Sequence, residues 1–341
     1  MLALLPTALG FHPSDSLVLA SLEGPRRRIG MCMRQDLPAT CDVESFVDAL
    51  AQMLASHQVG SVFTVAYTSD AWLAERLLGA LAAGLQAAGI GLVDALHANG
   101  SRYWSHMCTD KRCCPPTGTA YDVRSSPLMA QAVLEGIEIL PDRDALRARL
   151  ARVEGERARQ MTTATRTCLR AISHEVATDP GRGWLRVAAQ RVTALVGSVS
   201  GDPAVPLSDD DVASLSVWCS VVPVRDVAWA EMTRLDAAAH FRLWAHVSRL
   251  VVPPFEPAVL TLAAFAAWLA GDGASAWCAI ERAELADSDY PMMGLIRETL
   301  WRGVPPSTWE PLGDQVADDG LDVADEPRWR SELLAATVPD Q

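Results

Sequence analysis

The chain has 341 residues, half of them apolar, and a formal net charge of −13 from 42 acidic and 29 basic side chains. That length favours two domains, and the apolar content is enough for sizeable cores. The acidic balance argues against a general nucleic-acid binder or a protein that adheres to anionic membranes, because both need a basic footprint.

The first fifteen residues, MLALLPTALGFHPSD, are partly apolar but carry no basic leader and no small-residue cleavage site, so they do not read as a signal peptide. Ser16–Leu22 is a β-rich run closed by the turn Glu23-Gly24-Pro25, and Arg28–Arg34 is a second strand, so the two form a hairpin. Arg26, Arg27 and Arg28 sit at its tip as a solvated basic turn. Asp42–His57 has helical spacing, with Phe46, Leu50 and Leu54 on one face. Gly60–Thr68 is apolar through its centre, the pattern of a central strand covered on both faces. A helix is then expected from Ala71 to about Gly89, with Trp72, Leu73, Leu77, Leu81 and Leu85 in its apolar stripe. Ile90–Ala98 and Ser101–Cys108 follow as strands joined by Asn99-Gly100, a strong hairpin signal. The expected order is ββαβαββ, a mixed sheet in an α/β domain over residues 1–140.

Residues 141–310 read as all-helical. The charged stretch Asp142–Glu175 has the length and polarity of one surface or bridging helix. Ser208 before three aspartates is an N-cap with acids in the first turn. Further helices are expected over about 212–221, 225–234, 237–251, 257–270, 274–286 and 292–302, punctuated by Pro253-Pro254 and Pro305-Pro306. No apolar run reaches the ~18 residues of a membrane helix. The longest, Pro257–Ala270, suits a core helix. Trp268–Asp287 resembles one tetratricopeptide unit through Gly271, Ala276, Ala279 and Ala283, so a helical bundle or short solenoid is expected. The tail 311–341 carries eight acids and two arginines, and is expected to be flexible with a short helix near Trp329–Ala335.

Three stretches invite a chemical reading. Tyr103–Gly118, YWSHMCTDKRCCPPTG, holds three cysteines, a histidine and the chain's only lysine. His106, Cys108, Cys113 and Cys114 are the residue types that zinc takes. Their spacing argues against it: there is no C-x-x-C knuckle, and the adjacent Cys113 and Cys114 would point opposite ways in extended chain. His106 and Cys108, two apart on a strand, would share a face. A Cys108–Cys113 disulfide fits across a hairpin but is disfavoured in a reducing cytosol. The spacing instead suits a turn at Thr109–Arg112 followed by buried, reduced thiols. No metal and no cofactor is expected.

The second stretch is Gly10–Ser16, where His12, Ser14 and Asp15 tempt a triad reading. Sequence adjacency is not triad geometry, and Pro13-Ser14-Asp15 is a good turn. The third is Tyr67-Thr68-Ser69-Asp70, at the carboxyl end of the central strand, where open α/β sheets hold ligands. Ser69 or Asp70 is also an ordinary N-cap. His12, Asp15, Tyr67, Thr68, Ser69 and Asp70 are the ligand-binding candidates. Arg34-Gln35-Asp36 falls at the other end of the sheet if the central strand runs parallel to the first.

LLPTALGFHPSDSLVLASL, Asp36-Leu37-Pro38, VAYTSD, RYWSHMCTDKRCCPPTG, SSPLMAQAVLEG and LAAFAAWLAGDG occur in this order. Together they resemble the bacterial "domain of unknown function 4192" family from about Leu2 to Trp309. The resemblance implies an intracellular protein of high-GC bacteria and brings no activity, cofactor or catalytic residue. Where this chain has His106, the family pattern more often has Tyr, which weakens a four-ligand zinc site. The expected function is a non-enzymatic cytoplasmic binding or regulatory module whose helical half engages a protein partner or a second copy. The alternative is an enzyme of hydrolase or transferase type, or a small-ligand sensor, with a polar pocket near Tyr67–Asp70 and Cys108–Cys114.

Overall fold

The computed structural model describes residues 2–136, 138–178, 183–201, 207–311, 321 and 325–339. It divides into two compact units, Met1–Leu146 and Arg147–Gln341.

The N-terminal unit is a six-stranded mixed sheet with helices. Helix α1 (Leu4–Leu9) precedes the hairpin β1 (Ser16–Glu23) and β2 (Arg28–Asp36). Then come α2 (Val43–Ser56), β3 (Ser61–Tyr67), α3 (Ala71–Ala87), β4 (Gly91–Ala98), β5 (Arg102–Ser105), β6 (Thr119–Ala120) and α4 (Pro127–Leu134). The spatial order is β2-β1-β3-β4-β5-β6. Strand β1 pairs antiparallel with both β2 and β3, and β3 pairs parallel with β4. The strands β2, β3 and β4 therefore run the same way, joined by the crossovers through α2 and α3. The condition under which Arg34–Asp36 would fall at the far end is therefore not met. The central strand is antiparallel to the first, so Asp36, Tyr67 and Ala98 close three parallel strands at one end of the sheet.

One sheet face is covered by α2 and α3. Leu17, Leu19, Val62 and Ala66 pack there with Val47, Leu50 and Leu54 of α2 and Leu77, Leu81 and Leu85 of α3. The two helices approach closely at Gly84, where a Cβ would lie 2.6 Å from the Val47 side chain. On the opposite face Val18, Ala20, Phe63, Val65 and Leu96 are buried too, as the apolar centre of β3 demands. Helix α1 packs against β2 and α4, and Phe11 bridges to Leu140. Helix α1, strand β6 and helix α4 were not expected from the sequence. The first and third are short, and β6 has only two residues, too few to show any period.

The C-terminal unit is helical. The expected single helix over Asp142–Glu175 is two: α5 (Arg143–Ala148), in which the boundary between units falls, and α6 (Gly155–Thr178). Between them the chain turns back, with Leu150 buried, so the segment is not one exposed rod. Helix α6 also buries Met161, Leu169, Ile172 and Val176 on one face. There follow α7 (Gly183–Gly201), α8 (Asp209–Cys219), α9 (Val222–Ala230), α10 (Ala237–Leu250), α11 (Glu256–Leu269), α12 (Gly273–Ala286), α13 (Pro291–Trp301) and α14 (Glu326–Ala335). Ser208 and Asp211 form a reciprocal cap at the start of α8.

Helix α11 is buried all round from Pro257 to Leu269, as its unbroken apolar run requires. It packs against α10, α12 and α13. Ala276, Ala279 and Ala283 are fully buried in α12, where small side chains let the helices of the hairpin approach. Arg282 is the polar tie of this core: its guanidinium donates to the carbonyls of Leu150 and Ser248 and to Glu256, the last at 2.6 Å. Helix α14 covers the short helix expected near Trp329. Most of the remaining tail, with Asp202–Pro203, lies outside the described residues. Among the described residues no helix is long and apolar enough to cross a membrane.

Candidate functional site

Residues that pair across strands share a sheet face. At the end where β2, β3 and β4 finish, Ser16 pairs with Asp36 on one side and with Tyr67 on the other. Tyr67 pairs with Ala98, and Ala98 with Tyr103. Arg34 and Cys32, two and four residues before Asp36, lie on that same face. It is the face opposite α2 and α3.

Three side chains here are unusual in one respect. Ser16 Oγ, Tyr67 OH and Arg34 Nε are buried and have no hydrogen-bond partner. A buried polar group without a partner costs about 1–3 kcal/mol, so three on one sheet face is a large concentration. Burial, with the neighbouring Tyr121 and Cys32, pushes the Tyr67 phenol far up, so it stays an O–H donor. Burial likewise pushes the Cys32 thiol to about 12. Arg34 reaches Asp36 at 2.5 Å through its terminal nitrogen, and Arg143 approaches the same carboxylate at 3.8 Å. Two guanidinium groups thus share one carboxylate.

The other candidates are mostly committed to local structure. Asp70 caps α3, its Oδ1 accepting from the N–H groups of Trp72 and Leu73 at 3.0 Å each. Thr68 Oγ1 accepts from Asp70 N–H at 3.1 Å. The Thr68 carbonyl meets His97 Nε2 at 2.9 Å, and the His97 ring stacks on Trp104 at 5.0 Å. Ser69 is exposed. Asp15 is exposed in the turn before β1, with φ 42°. His12 is half-buried, and its backbone bonds Leu140; desolvation and then the charge of Arg124 push its imidazole below the usual value. The structure therefore places Ser16, Arg34, Cys32 and Tyr121 with Tyr67 in one region of the sheet, and none of the four is among the ligand-binding candidates of the sequence. The one available signal was Arg34-Gln35-Asp36, whose end of the sheet depended on the direction of β3, which the sequence does not record.

The cysteine stretch departs from the sequence reading in three ways. First, β5 ends at Ser105, so His106 and Cys108 do not share a strand face. The reason is local: Ser105 Oγ donates to Asp94 at 2.7 Å and accepts from the N–H groups of Met107 and Cys108, which draws the chain out of the ladder. Second, Cys113 and Cys114 are not in extended chain. Both their N–H groups bond the Asp110 carbonyl, and the Arg112 N–H bonds the Asp110 side chain. In this tight turn adjacent side chains can converge, and the sulfur atoms of Cys108, Cys113 and Cys114 all lie within 4.8 Å of one another. Third, the thiols are not mostly buried. Cys113 is exposed, Cys108 and Cys114 are half-buried, and of all eight cysteines only Cys219 and Cys278 are buried. None of the eight forms a disulfide. Hydrogen bonding from Cys114 and then from the backbone at Asp110 holds the Cys108 thiol below its usual range, while the same bond to Cys108 and desolvation push Cys114 to about 12.

The loop that carries these thiols is fastened to β5. Trp104 Nε1 donates to the Pro116 carbonyl at 3.0 Å, and Arg102 donates to the carbonyls of Thr117 and Gly118. Gly118 has φ 74°, and a Cβ there would lie 2.5 Å from the Trp104 ring.

The family described as "Domain of unknown function (DUF4192)" matches residues 1–307. No curated protein and no solved structure matches the chain.

Proposed function

The chain belongs to the DUF4192 family, and from its geometry we propose that it binds a small, acceptor-rich anion at the carboxyl ends of β2, β3 and β4. The observation that carries this reading is the set of three buried, unpartnered groups, Ser16 Oγ, Tyr67 OH and Arg34 Nε, on one face at one end of the sheet. All three can donate. The Tyr67 phenol is held protonated, and an arginine Nε only donates. Their common complement is an acceptor such as a carboxylate or phosphate oxygen. The Arg34 guanidinium, which reaches Asp36 through its terminal nitrogen, brings a cationic donor to the same end of the sheet and favours the same ligand class.

The position fits a general property of open α/β sheets, whose ligands sit beyond the carboxyl ends of parallel strands. Tyr121, on the segment after the two-residue strand β6, lies beside Tyr67. A two-residue edge strand opens at low cost, so displacement of this segment is the route by which a ligand reaches the hydroxyl. Nothing in this site supplies an activated nucleophile, so the reading is a sensor or carrier, acting in the cytoplasm where the eight thiols stay reduced.

The test is thermal melting of the full chain against a panel of small carboxylates and phosphates. A ligand at about 100 times its Kd adds ~2.7 kcal/mol. That raises the melting temperature of a domain this size by about 5–10 °C. The shift is expected in the wild type and lost in the Ser16→Ala/Tyr67→Phe double variant. An equal shift in both would overturn the site.

A second reading, that the helical unit docks a protein partner, is favoured by three exposed apolar side chains on α12 and α13: Leu285, Leu295 and Trp301. Cross-linking in cells, with Leu295→Glu and Trp301→Glu as controls, tests it. Adducts unchanged by both substitutions would remove its basis.

A further inference from the structure

We propose that Cys108, Cys113 and Cys114 form a three-thiolate metal site suited to Zn(II), with a fourth coordination position left for a ligand from outside the chain. The three sulfur atoms converge within 4.8 Å although they come from both arms of a turn. A tetrahedral zinc ion with Zn–S bonds of ~2.3 Å needs sulfur atoms about 3.8 Å apart. The thiols are therefore close to a coordination shell, and small χ1 rotations complete it. Sulfur ligands select Zn(II) and Cu(I) over the hard cations Mg(II) and Ca(II).

The loop is already held in place. Ser105 Oγ fixes the backbone at Cys108, Asp110 fixes the turn that carries Cys113 and Cys114, and Trp104 and Arg102 fasten the Pro116–Gly118 exit. Little ordering is left for the metal to impose, which favours affinity. Three thiolates and a dication carry one net negative charge, and the turn itself carries Lys111 beside the Arg112–Asp110 ion pair, a balance of one positive charge. No fourth histidine, cysteine or carboxylate joins the three sulfur atoms among the described residues. His106 stands outside the cluster. Structural zinc sites are closed by four protein ligands, whereas three protein ligands with an open position are the arrangement of sites that bind an exchangeable group. Binding replaces three S–H bonds with three S–Zn bonds and releases the thiol protons to solvent, so affinity rises with pH.

The experiment uses the full chain, reduced and stripped of metal, with Zn(II) and Co(II) as probes. Competition with a chromophoric chelator is expected to show one tight Zn(II) per chain. Co(II) is expected to give sulfur-to-metal charge-transfer bands and the intense visible bands of a tetrahedral ion. Cys113→Ser and Cys114→Ser should each weaken Zn(II) by at least about 100-fold, beyond the effect of losing an outer-shell partner. Cys41→Ser, at an exposed cysteine elsewhere, should bind as the wild type does. Added imidazole should shift the Co(II) spectrum through the open position. The absence of tight Zn(II) binding by the wild type would overturn the site without reference to any variant. Retention of binding in a folded Cys113→Ser protein would do the same, and an imidazole-insensitive spectrum would overturn the open position.

Discussion

Ser16, the first residue of β1, pairs in register with Tyr67, the last residue of β3, and neither side-chain oxygen has a hydrogen-bond partner. The relationship exists because β1 runs antiparallel to β3, which brings the start of one strand to the end of the other. It places two hydroxyls and the nearby Arg34 where three parallel strands finish. A polar cluster of this kind is a cost to the unliganded fold and an asset to a binding site.

That asymmetry gives the first prediction. Tyr67→Phe removes a buried hydroxyl that has no partner and keeps the ring. The ligand-free protein should gain about 1 kcal/mol or stay level, read as a melting temperature raised by up to ~4 °C. The same variant should bind the ligand more weakly. A loss of more than 1 kcal/mol in urea unfolding would show that the hydroxyl is already satisfied.

The thiol turn gives the second. In metal-free protein at about neutral pH, iodoacetamide should alkylate Cys108 well before Cys114. Hydrogen bonding from Cys114 and the backbone at Asp110 stabilises the Cys108 thiolate, and Cys114 is pushed to about 12. Peptide mass spectrometry of timed samples reads the order. Cys114→Ala should slow labelling of Cys108 by removing its first donor. Faster labelling of Cys114 than of Cys108 in the wild type would refute the arrangement.

Gly118 gives the third. Its φ of 74° and the Trp104 ring 2.5 Å from an ideal Cβ leave no room for a side chain. Gly118→Ala should cost about 1–3 kcal/mol and loosen the loop from β5. Differential scanning calorimetry and Trp104 fluorescence check it, with Gly60→Ala as the control, since nothing lies within 4 Å of a Cβ there. Equal melting temperatures for the two variants would contradict the packing.

The fourth concerns pH. Arg157 of α6 holds Asp209 of α8 in a two-bond pair at 2.5 and 2.6 Å, which keeps the carboxyl below the usual carboxylate range. A folded-state pKa below the unfolded one contributes stability above about pH 4, and that stability is lost as pH falls through the depressed value. Both side chains are about 40% exposed, so solvent screening limits the effect to less than ~1 kcal/mol. Asp209→Asn should lower the melting temperature slightly at neutral pH and flatten its fall in acid. A steeper acid fall in the variant would reverse the sign.

Much of the architecture was legible from local signals. The apolar centre of Ser61–Tyr67, the Asn99-Gly100 turn and the capping sequence at Ser208 each specify their element through backbone chemistry. The unbroken run Pro257–Leu269 specified a buried helix for the same reason. What stayed hidden was the direction of β3 relative to β1. Alternation records which face a residue takes and not which way a neighbouring strand runs, so the end of the sheet at which Arg34 and Asp36 lie stayed conditional. The thiol cluster was hidden for a different reason. The divergence of Cys113 and Cys114 holds only in extended chain, and Asp110 winds that segment into a turn through one carbonyl and one carboxylate. Tyr121 lies next to a strand too short to leave a pattern, so nothing local marked it as the neighbour of Tyr67.

The most direct test of the central claim is native mass spectrometry of the full chain purified gently from its own cells, wild type beside Ser16→Ala/Tyr67→Phe. The account predicts a small anionic compound bound one to one in the wild type and absent from the folded double variant. Equal occupancy in both proteins, or a wild type that carries no small molecule and gives no melting shift with any carboxylate or phosphate, would contradict it.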